Sequence, residues 1–338
     1  MFLPEFEFTD KRRHVILFLM NSRFLSILVP AIMSLLLQPL VAHALPPEVL
    51  QSVVRIKPDW PLAARGLDAS GAPRDPQGTG IAVLPGGYIA TNVHVIGKAK
   101  KVDVLSEDGR QYAAEIIGLD LQTDIALLKI AADLPVLKAA THPQLADPVC
   151  AIGNQFGLGL SVTCGVVSAS GRSGMGFNPV EDFIQTDAAV NPGGSGGALV
   201  DRQGHLLGMI AAIFTKQSDA DIGINFATSV PLLMRVVEDL KTKGRVVRGI
   251  AGFKAQALPP QPGAEMSGVM IENVDISGPA FAAGLEAGDA LLGINDRHLP
   301  SLPALEAIMF MFRPGDVITL QTRRGSEARA LTMTLGGG

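Results

Sequence analysis

Three short stretches carry the residue types that hydrolytic chemistry needs. Asn191-Pro192-Gly193-Gly194-Ser195-Gly196-Gly197-Ala198-Leu199 sets a serine between two pairs of glycines. Glycine adopts positive φ without steric cost and lets another backbone come close, so this turn can present a hydroxyl to an incoming chain. The N–H groups of Gly193 and Ser195 can then converge on an oxygen that gains negative charge during attack. Alone, the segment would read equally as a flexible turn between strands. Ala90-Thr91-Asn92-Val93-His94-Val95-Ile96 places a histidine just after a predicted strand, and Thr123-Asp124-Ile125-Ala126-Leu127-Leu128-Lys129 places an aspartate at the mouth of an apolar one. Taken singly, His94 would be structural and Asp124 a turn residue. A serine hydroxyl, however, needs a base, and the base needs a carboxylate to fix its tautomer and stabilise the imidazolium. His94, Asp124 and Ser195 supply those three groups, in the chain order of the chymotrypsin-type arrangement.

The elements that must position them read as short strands. Gly80–Leu84, Tyr88–Thr91, Lys101–Leu105, Ile125–Ile130, Val149–Ile152, Val162–Ser168 and Leu206–Ile213 are apolar or alternating runs punctuated by turn residues, which predicts an all-β barrel or sandwich. Lys57–Pro76, rich in Pro, Gly, Asp and Ala, reads as a surface loop. Leu232, Leu233, Val236, Val237 and Leu240 share one face of a helix predicted over Val230–Lys243, and Lys241–Arg245 supplies its stop and a linker. A second unit follows, with strands expected at Gly268–Val274, Ala290–Ile294 and Val317–Thr322, and helices at Pro279–Ala283 and Leu302–Phe312. Its turns fall at Gly288-Asp289 and Pro314-Gly315-Asp316. The division is therefore 1–44, 45–245 and 246–338.

Composition narrows the class. The chain has 338 residues, 47% hydrophobic and 18% charged, so it can build real cores. A net charge of -4 gives no footprint for nucleic acid. Six histidines without an HExxH or paired-His spacing argue against a metal hydrolase, and two cysteines cannot build a disulfide scaffold or a four-thiolate zinc site. Residues 1–44 are set apart as a targeting segment. Lys11, Arg12, Arg13 and Arg23 precede an apolar run from Phe24 to Val41, and Ala42-His43-Ala44 has the small-x-small form of a cleavage site. Read from Met1 the basic flank is long, whereas a start at Met20 gives a signal of ordinary proportions. A cleaved signal and an uncleaved anchor through residues 24–41 both fit, and either puts the rest of the chain outside the cytoplasm.

The chain resembles the HtrA/Deg family of serine proteases with one C-terminal PDZ domain. The resemblance is carried by Gly78-Thr-Gly80, Thr91-Asn-Val-His-Val95, Thr123-Asp-Ile-Ala-Leu127, Ala151-Ile-Gly-Asn154, Ile184-Gln-Thr-Asp-Ala-Ala-Val-Asn-Pro192, Gly193–Leu199 and Ile224-Asn-Phe-Ala227. It implies an all-β chymotrypsin-like double β-barrel followed by a small α+β PDZ domain. It also implies a periplasmic, secreted or membrane-tethered endopeptidase that cleaves unfolded or misfolded polypeptides without ATP, needs no cofactor and assembles as a homotrimer. Gly194, Ala198 and Val93 depart from the usual Asn, Pro and Asn; Gly194 would loosen the oxyanion turn.

By the same resemblance, Val190, Ile210, Ala211 and Ala212 line the primary pocket, and Ala189 occupies the position of a trypsin pocket aspartate. Cleavage after small or medium aliphatic residues is expected. Arg248-Gly-Ile-Ala-Gly-Phe253 resembles a PDZ carboxylate-binding loop, in which backbone N–H groups around Ala251, Gly252 and Phe253 hold a peptide C-terminus. Gly278-Pro-Ala280 and Ala283–Asp289 resemble the PDZ helix and turn. Met309, Phe310 and Met311 read as core or groove-wall packing rather than a ligand box. Arg172 falls where the family carries an activation-loop arginine that could link PDZ occupancy to the oxyanion turn; a solvated loop arginine is the competing reading. Cys150 and Cys164 could pair across a hairpin, but two buried free thiols are the preferred expectation. Two other functions fit the residues: an anchored protease that cuts one signalling protein, and a binding protein with an idle triad.

Overall fold

Strands of four to twelve residues fill the first unit, and the computed structural model closes them into two barrels. It describes residues 45–65, 76–140, 143–213, 222–258 and 268–337. The first barrel contains β1 (Val53–Pro58), β2 (Gly78–Leu84), β3 (Tyr88–Asn92), β4 (Val102–Leu105), β5 (Gln111–Asp120) and β6 (Ile125–Lys129), in the order β1-β2-β3-β6-β5-β4. The second contains β7 (Pro148–Gly153), β8 (Ser161–Arg172), β9 (Phe183–Thr186), β10 (Ala198–Asp201), β11 (Leu206–Ile213) and β12 (Asn225–Ser229), in the order β10-β11-β12-β9-β8-β7. Two short helices, α1 (Pro47–Gln51) and α2 (Val93–Ile96), accompany the first.

Continuous apolar runs such as Ile125–Leu128 arise because successive side chains point to opposite faces and both faces are buried. Ala126 and Leu128 enter the interior of the first barrel with Val54, Ile56 and Ile89. Ile125 and Leu127 instead face the space between the barrels, with Ile81, Ala90, Ile152, Ala198 and Met209. That space is sealed by α3 (Val230–Lys243), which packs against β5 and β6 of one barrel and β11 and β12 of the other. Its boundaries follow from its caps: the Ser229 hydroxyl accepts from Leu232 N–H at 3.4 Å, Pro231 sits in the first turn, and Gly244 ends the helix at φ 68°.

Cys150 and Cys164 face each other directly across β7 and β8, Cα atoms 4.0 Å apart, and are joined by a disulfide. This corrects the expectation of two buried free thiols: Cys164 is exposed and Cys150 half-buried, and the register leaves no offset between them. Closing a loop of this length restricts the unfolded chain by about 3 kcal/mol. Cys150→Ser combined with Cys164→Ser, or a reductant, should lower the melting temperature by several degrees, read by calorimetry.

The second unit is a sheet of β13 (Phe253–Ala257), β14 (Val269–Val274), β15 (Ala290–Ile294), β16 (Arg297–His298), β17 (Val317–Arg324) and β18 (Glu327–Thr334). Its order is β13-β14-β15-β17-β18, with β16 paired to β15, so β13 is an edge. Helices α4 (Pro279–Ala282) and α5 (Leu302–Phe310) cover a core of Val269, Ile271, Leu291, Ile294, Leu305, Ile308, Ile318 and Leu320. This PDZ-like domain is the expected α+β unit, and two closed barrels precede it.

Where α5 ends, the two units meet. Met309 packs on the core of the second unit, but Phe310 is buried in the core between the two barrels and Met311 packs against it. Beside them Arg235, in the middle of α3, donates to Asp239 at 2.6 Å, to Val247 O at 2.6 Å and to Met311 O at 3.1 Å. The segment 1–44, with Met20 and residues 24–41, lies outside the described residues. Among the described residues no helix is long and apolar enough to cross a membrane.

Candidate active site

The serine turn hangs between the barrels on Thr79. Thr79 N–H donates to Ser195 O at 2.9 Å, and its hydroxyl donates to Gly193 O at 2.6 Å. Thr79 O in turn accepts from the Thr91 hydroxyl at 2.7 Å, which ties β2 to the end of β3, three residues before His94. The turn needs glycine at two points. A Cβ on Gly193 (φ 93°) would lie 2.4 Å from Asn154 O, and one on Gly196 (φ 83°) would lie 2.0 Å from Thr79 O. Four further bonds close it: Gly194 N–H to Asn191 O at 2.9 Å, Gly197 N–H to Gly194 O at 2.9 Å, and reciprocal 2.8 Å bonds joining Gly196 and Gly197 to Ile210. The looseness expected from Gly194 therefore meets a turn fastened on both sides. Among the described residues, the N–H groups of Gly193 and Ser195 donate to no protein acceptor, although those of Gly194, Gly196 and Gly197 all do.

His94 lies in α2 and Asp124 in the turn before β6, two neighbouring strands apart. Register Asn92↔Ile125 brings the two segments together. Asp124 has φ 59°, a left-handed conformation that short polar side chains tolerate better than others. That conformation is fixed from both sides: Asp124 O accepts from Val93 N–H at 3.0 Å and from Asn92 Nδ2 at 3.1 Å. Its carboxylate takes His94 N–H on Oδ1 at 2.9 Å and meets the ring at Nδ1 on Oδ2 at 2.6 Å. An ionised carboxylate can only accept, so the Nδ1 atom carries the proton and Nε2 keeps its lone pair. Asp124 is mostly buried, whereas half of the imidazole surface is open. Ser195 is half-buried, and no hydrogen bond joins its hydroxyl to the His94 ring among the described residues. Such contacts commonly form only when substrate is bound.

Of the expected pocket residues, Val190 and Ile210 pack together with Ala188 and Ala227. Ala211 belongs to another cluster, with Phe183 and Phe226, so its side chain does not join the Val190–Ile210 wall. Ala212 pairs with Phe226 along β12. Sequence reasoning missed the two polar residues behind this wall. Buried Gln155 donates to Ala189 O at 3.3 Å and accepts from Asn191 Nδ2 at 2.8 Å, and Thr163 donates to the same Ala189 O at 2.5 Å. Neither residue type, alone in a strand or turn, signals a role at a distance.

In the PDZ unit, Ala251 and Gly252 precede edge strand β13, and among the described residues neither N–H donates to a protein acceptor. Phe253 opens β13, and α5 packs alongside that strand. Arg172 ends β8, paired with Phe183 through the backbone, and its exposed guanidinium has no polar partner among the described residues. Two residues on, Gly174 approaches the second unit: a Cβ there would lie 2.9 Å from Pro303 of α5. Thr123, next to Asp124, donates to Asp120 at 2.7 Å, and Asp120 accepts from Arg248 at 3.0 Å.

Two antiparallel barrels, one carrying a His–Asp pair at the end of β3 and the other a glycine-framed serine before β10, define a trypsin-like serine peptidase. Residues 78–209 match the Trypsin-like peptidase domain family and residues 220–335 the PDZ domain family. A serine endoprotease DegS from Escherichia coli (strain K12) is 36% identical over 271 residues, 76% of this chain and 76% of that protein. A probable periplasmic serine endoprotease, DegP-like, from Chlamydia muridarum is 39% identical over 267 residues, 77% of this chain but 54% of that protein, so the chain spans about half of its length. The solved HtrA-type protease AlgW with tripeptide superposes at a TM-score of 0.69 with 34% identity, covering 86% of this chain and 94% of that one. The chain belongs to the HtrA/Deg family of serine endoproteases.

Proposed function

We propose that this protein is an ATP-independent endopeptidase of the cell envelope that cleaves unfolded or misfolded polypeptides. Ser195 is the nucleophile and His94 takes its proton through Nε2, then returns it to the leaving amine. Asp124 holds the ring and stabilises the imidazolium. Gly193 and Ser195 N–H groups bind the oxyanion. The observation that carries this reading is the arrangement at the serine turn. The imidazole is held at Nδ1 and half exposed, and the two N–H groups without acceptors are those of the residues placed for the oxyanion.

Val190 and Ile210 form an apolar primary pocket, so the enzyme cuts after small or medium aliphatic residues. Ala251, Gly252 and Phe253 receive a peptide carboxylate, and the bound C-terminus adds a strand to β13. Homotrimeric assembly and a periplasmic site follow the family. A second reading, controlled cleavage of one target, is favoured by the contact between the Arg172 segment and α5. Pro303 of α5 already lies against Gly174, so a peptide bound between β13 and α5 touches the helix that contacts this segment.

Casein digestion with mass-spectrometric mapping of the cut sites tests the proposal. Cleavage after Val, Ala, Leu and Ile is expected, with a rate raised by added C-terminal peptides. Cuts dominated by Arg or Lys would overturn the pocket assignment. A rate indifferent to every C-terminal peptide would remove the PDZ domain from control.

A further inference from the structure

Beyond the primary pocket, the geometry points to a second specificity site: the aromatic ring of Phe156 receives an apolar side chain of the substrate on the leaving-group side of the scissile bond. The inference rests on the serine-peptidase reading of Ser195.

The serine turn has two flanks. On one, Gly196 and Gly197 exchange bonds with Ile210 of β11, which places the acyl half of a substrate along β11 and over the Val190–Ile210 wall. On the other flank, Pro192 O accepts from Phe156 N–H at 2.7 Å, and Gly193 backs onto Asn154 O. A substrate carbonyl held by Gly193 and Ser195 N–H has its leaving amine directed to this second flank.

The segment here is built to hold one ring outward. Phe156 has φ 54°, a left-handed conformation that is unusual for a bulky residue and persists only where the surroundings impose it. The residues before it do so. Asn154, 1% exposed, donates its backbone N–H to Thr79 Oγ1 at 2.9 Å, accepts from Gly159 N–H on Oδ1 at 2.9 Å, and donates from Nδ2 to Gln77 at 3.0 Å. Gln155, 7% exposed, is clamped to Ala189 and Asn191. Two buried, fully partnered polar side chains thus fix the backbone, and the next side chain, Phe156, is left 60% exposed beside Gly193. Leu158, 88% exposed, extends the apolar surface, and Gln77 closes it from the first barrel, its amide lying 2.7 Å from where a Gly157 Cβ would stand. A fold that needed only a turn here would not hold an aromatic residue at positive φ with its ring in water. An apolar side chain in the first or second position after the scissile bond would cover that ring and remove it from water.

The test uses internally quenched peptides that share an aliphatic residue before the cleaved bond and carry Leu, Ser or Glu in the first and second positions after it. The full protein should cleave the Leu peptide with kcat/KM about tenfold above the Ser peptide, the scale set by one apolar contact in a binding pocket. In Phe156→Ala the Leu-to-Ser ratio should fall to near one, and Phe156→Leu should restore most of it. Because the ratio is taken within one enzyme, a uniform loss of activity cancels. Phe156→Lys should invert the preference toward Glu, which a folding defect cannot do. A wild-type ratio near one, or a ratio unchanged in Phe156→Ala and Phe156→Lys, overturns the inference. Failure of Ser195 to be labelled by a fluorophosphonate, with no peptide cleaved, would instead sink the serine-peptidase reading itself, and this inference with it.

Discussion

Asp124→Asn is expected to lower kcat at neutral pH by about 10^4, and Ser195→Ala or His94→Ala by about 10^6. The asparagine variant is the more informative because it leaves the backbone alone. Asp124 sits at φ 59°, and asparagine accepts that conformation as readily as aspartate. The bond from His94 N–H to Oδ1 survives as well, since an amide oxygen still accepts. What changes is the contact at Nδ1, now 2.6 Å from an ionised oxygen. An amide nitrogen placed there donates, so Nδ1 must accept and the ring proton moves to Nε2. The nitrogen proposed to take the Ser195 proton then has no lone pair, and the hydroxyl keeps its proton. Single-turnover cleavage of casein or a quenched peptide at pH 7 to 8, with fluorophosphonate labelling in parallel, measures all three variants. An Asp124→Asn enzyme retaining a tenth of wild-type kcat would show that Asp124 does not set the tautomer.

That local logic was legible in the residues themselves, and so were the elements whose pattern is local. Leu206–Ile213 and Val230–Lys243 were read to the residue: one is an uninterrupted apolar run, and the other carries a serine cap, a first-turn proline and a glycine stop. Strands whose partners lie far away were not legible. β12 is wholly buried yet spells Asn-Phe-Ala-Thr-Ser, polar at three of five positions; its place depends on Asn225 Nδ2 reaching Ala188 O at 2.9 Å, across 37 residues. β5 carries Gly118 near its end and alternates only weakly, since a bulge between Ile116 and Gly118 shifts its register on β6. Thr79 belongs to one of the matching stretches, but that two of its bonds suspend the serine turn depends on pairings of residues more than a hundred positions apart. The same limit explains Phe310 and Met311. Their apolar character predicts burial but cannot say that they enter the neighbouring unit's core, which is decided by the docking of α5 on α3.

The docking makes its own prediction, because it is centred on a buried charge. Asp239 is 2% exposed and holds Arg235 at 2.6 Å, Val247 N–H at 2.9 Å, and Arg313 and Lys243 at 3.2 Å each. Arg235 and Asp239 belong to α3, whereas Val247 and Arg313 come from the start and the interior of the second unit, so one carboxylate ties the two units together. Burial alone would push its pKa up; the Val247 N–H, Arg235 and Lys243 outweigh that and hold it well below the ordinary carboxylate range. Removing one partner leaves the others buried and unpaired, so Asp239→Ala or Arg235→Ala should cost about 3–5 kcal/mol. Amide exchange at Val247, whose N–H ends on Asp239, should accelerate first. The sign of the pH effect follows from the depressed value. The unfolded chain takes up a proton near pH 4 that the folded one refuses, so this contribution is complete above that pH and declines as pH falls toward the lower folded value. Melting temperatures of the wild type should therefore be insensitive to Asp239 between pH 5 and 7 and drop steeply below 4. Asp239→Asn should begin lower at neutral pH and lose less on acidification, so that the two curves converge. Parallel curves would mean that the carboxylate's charge contributes nothing to joining the two units.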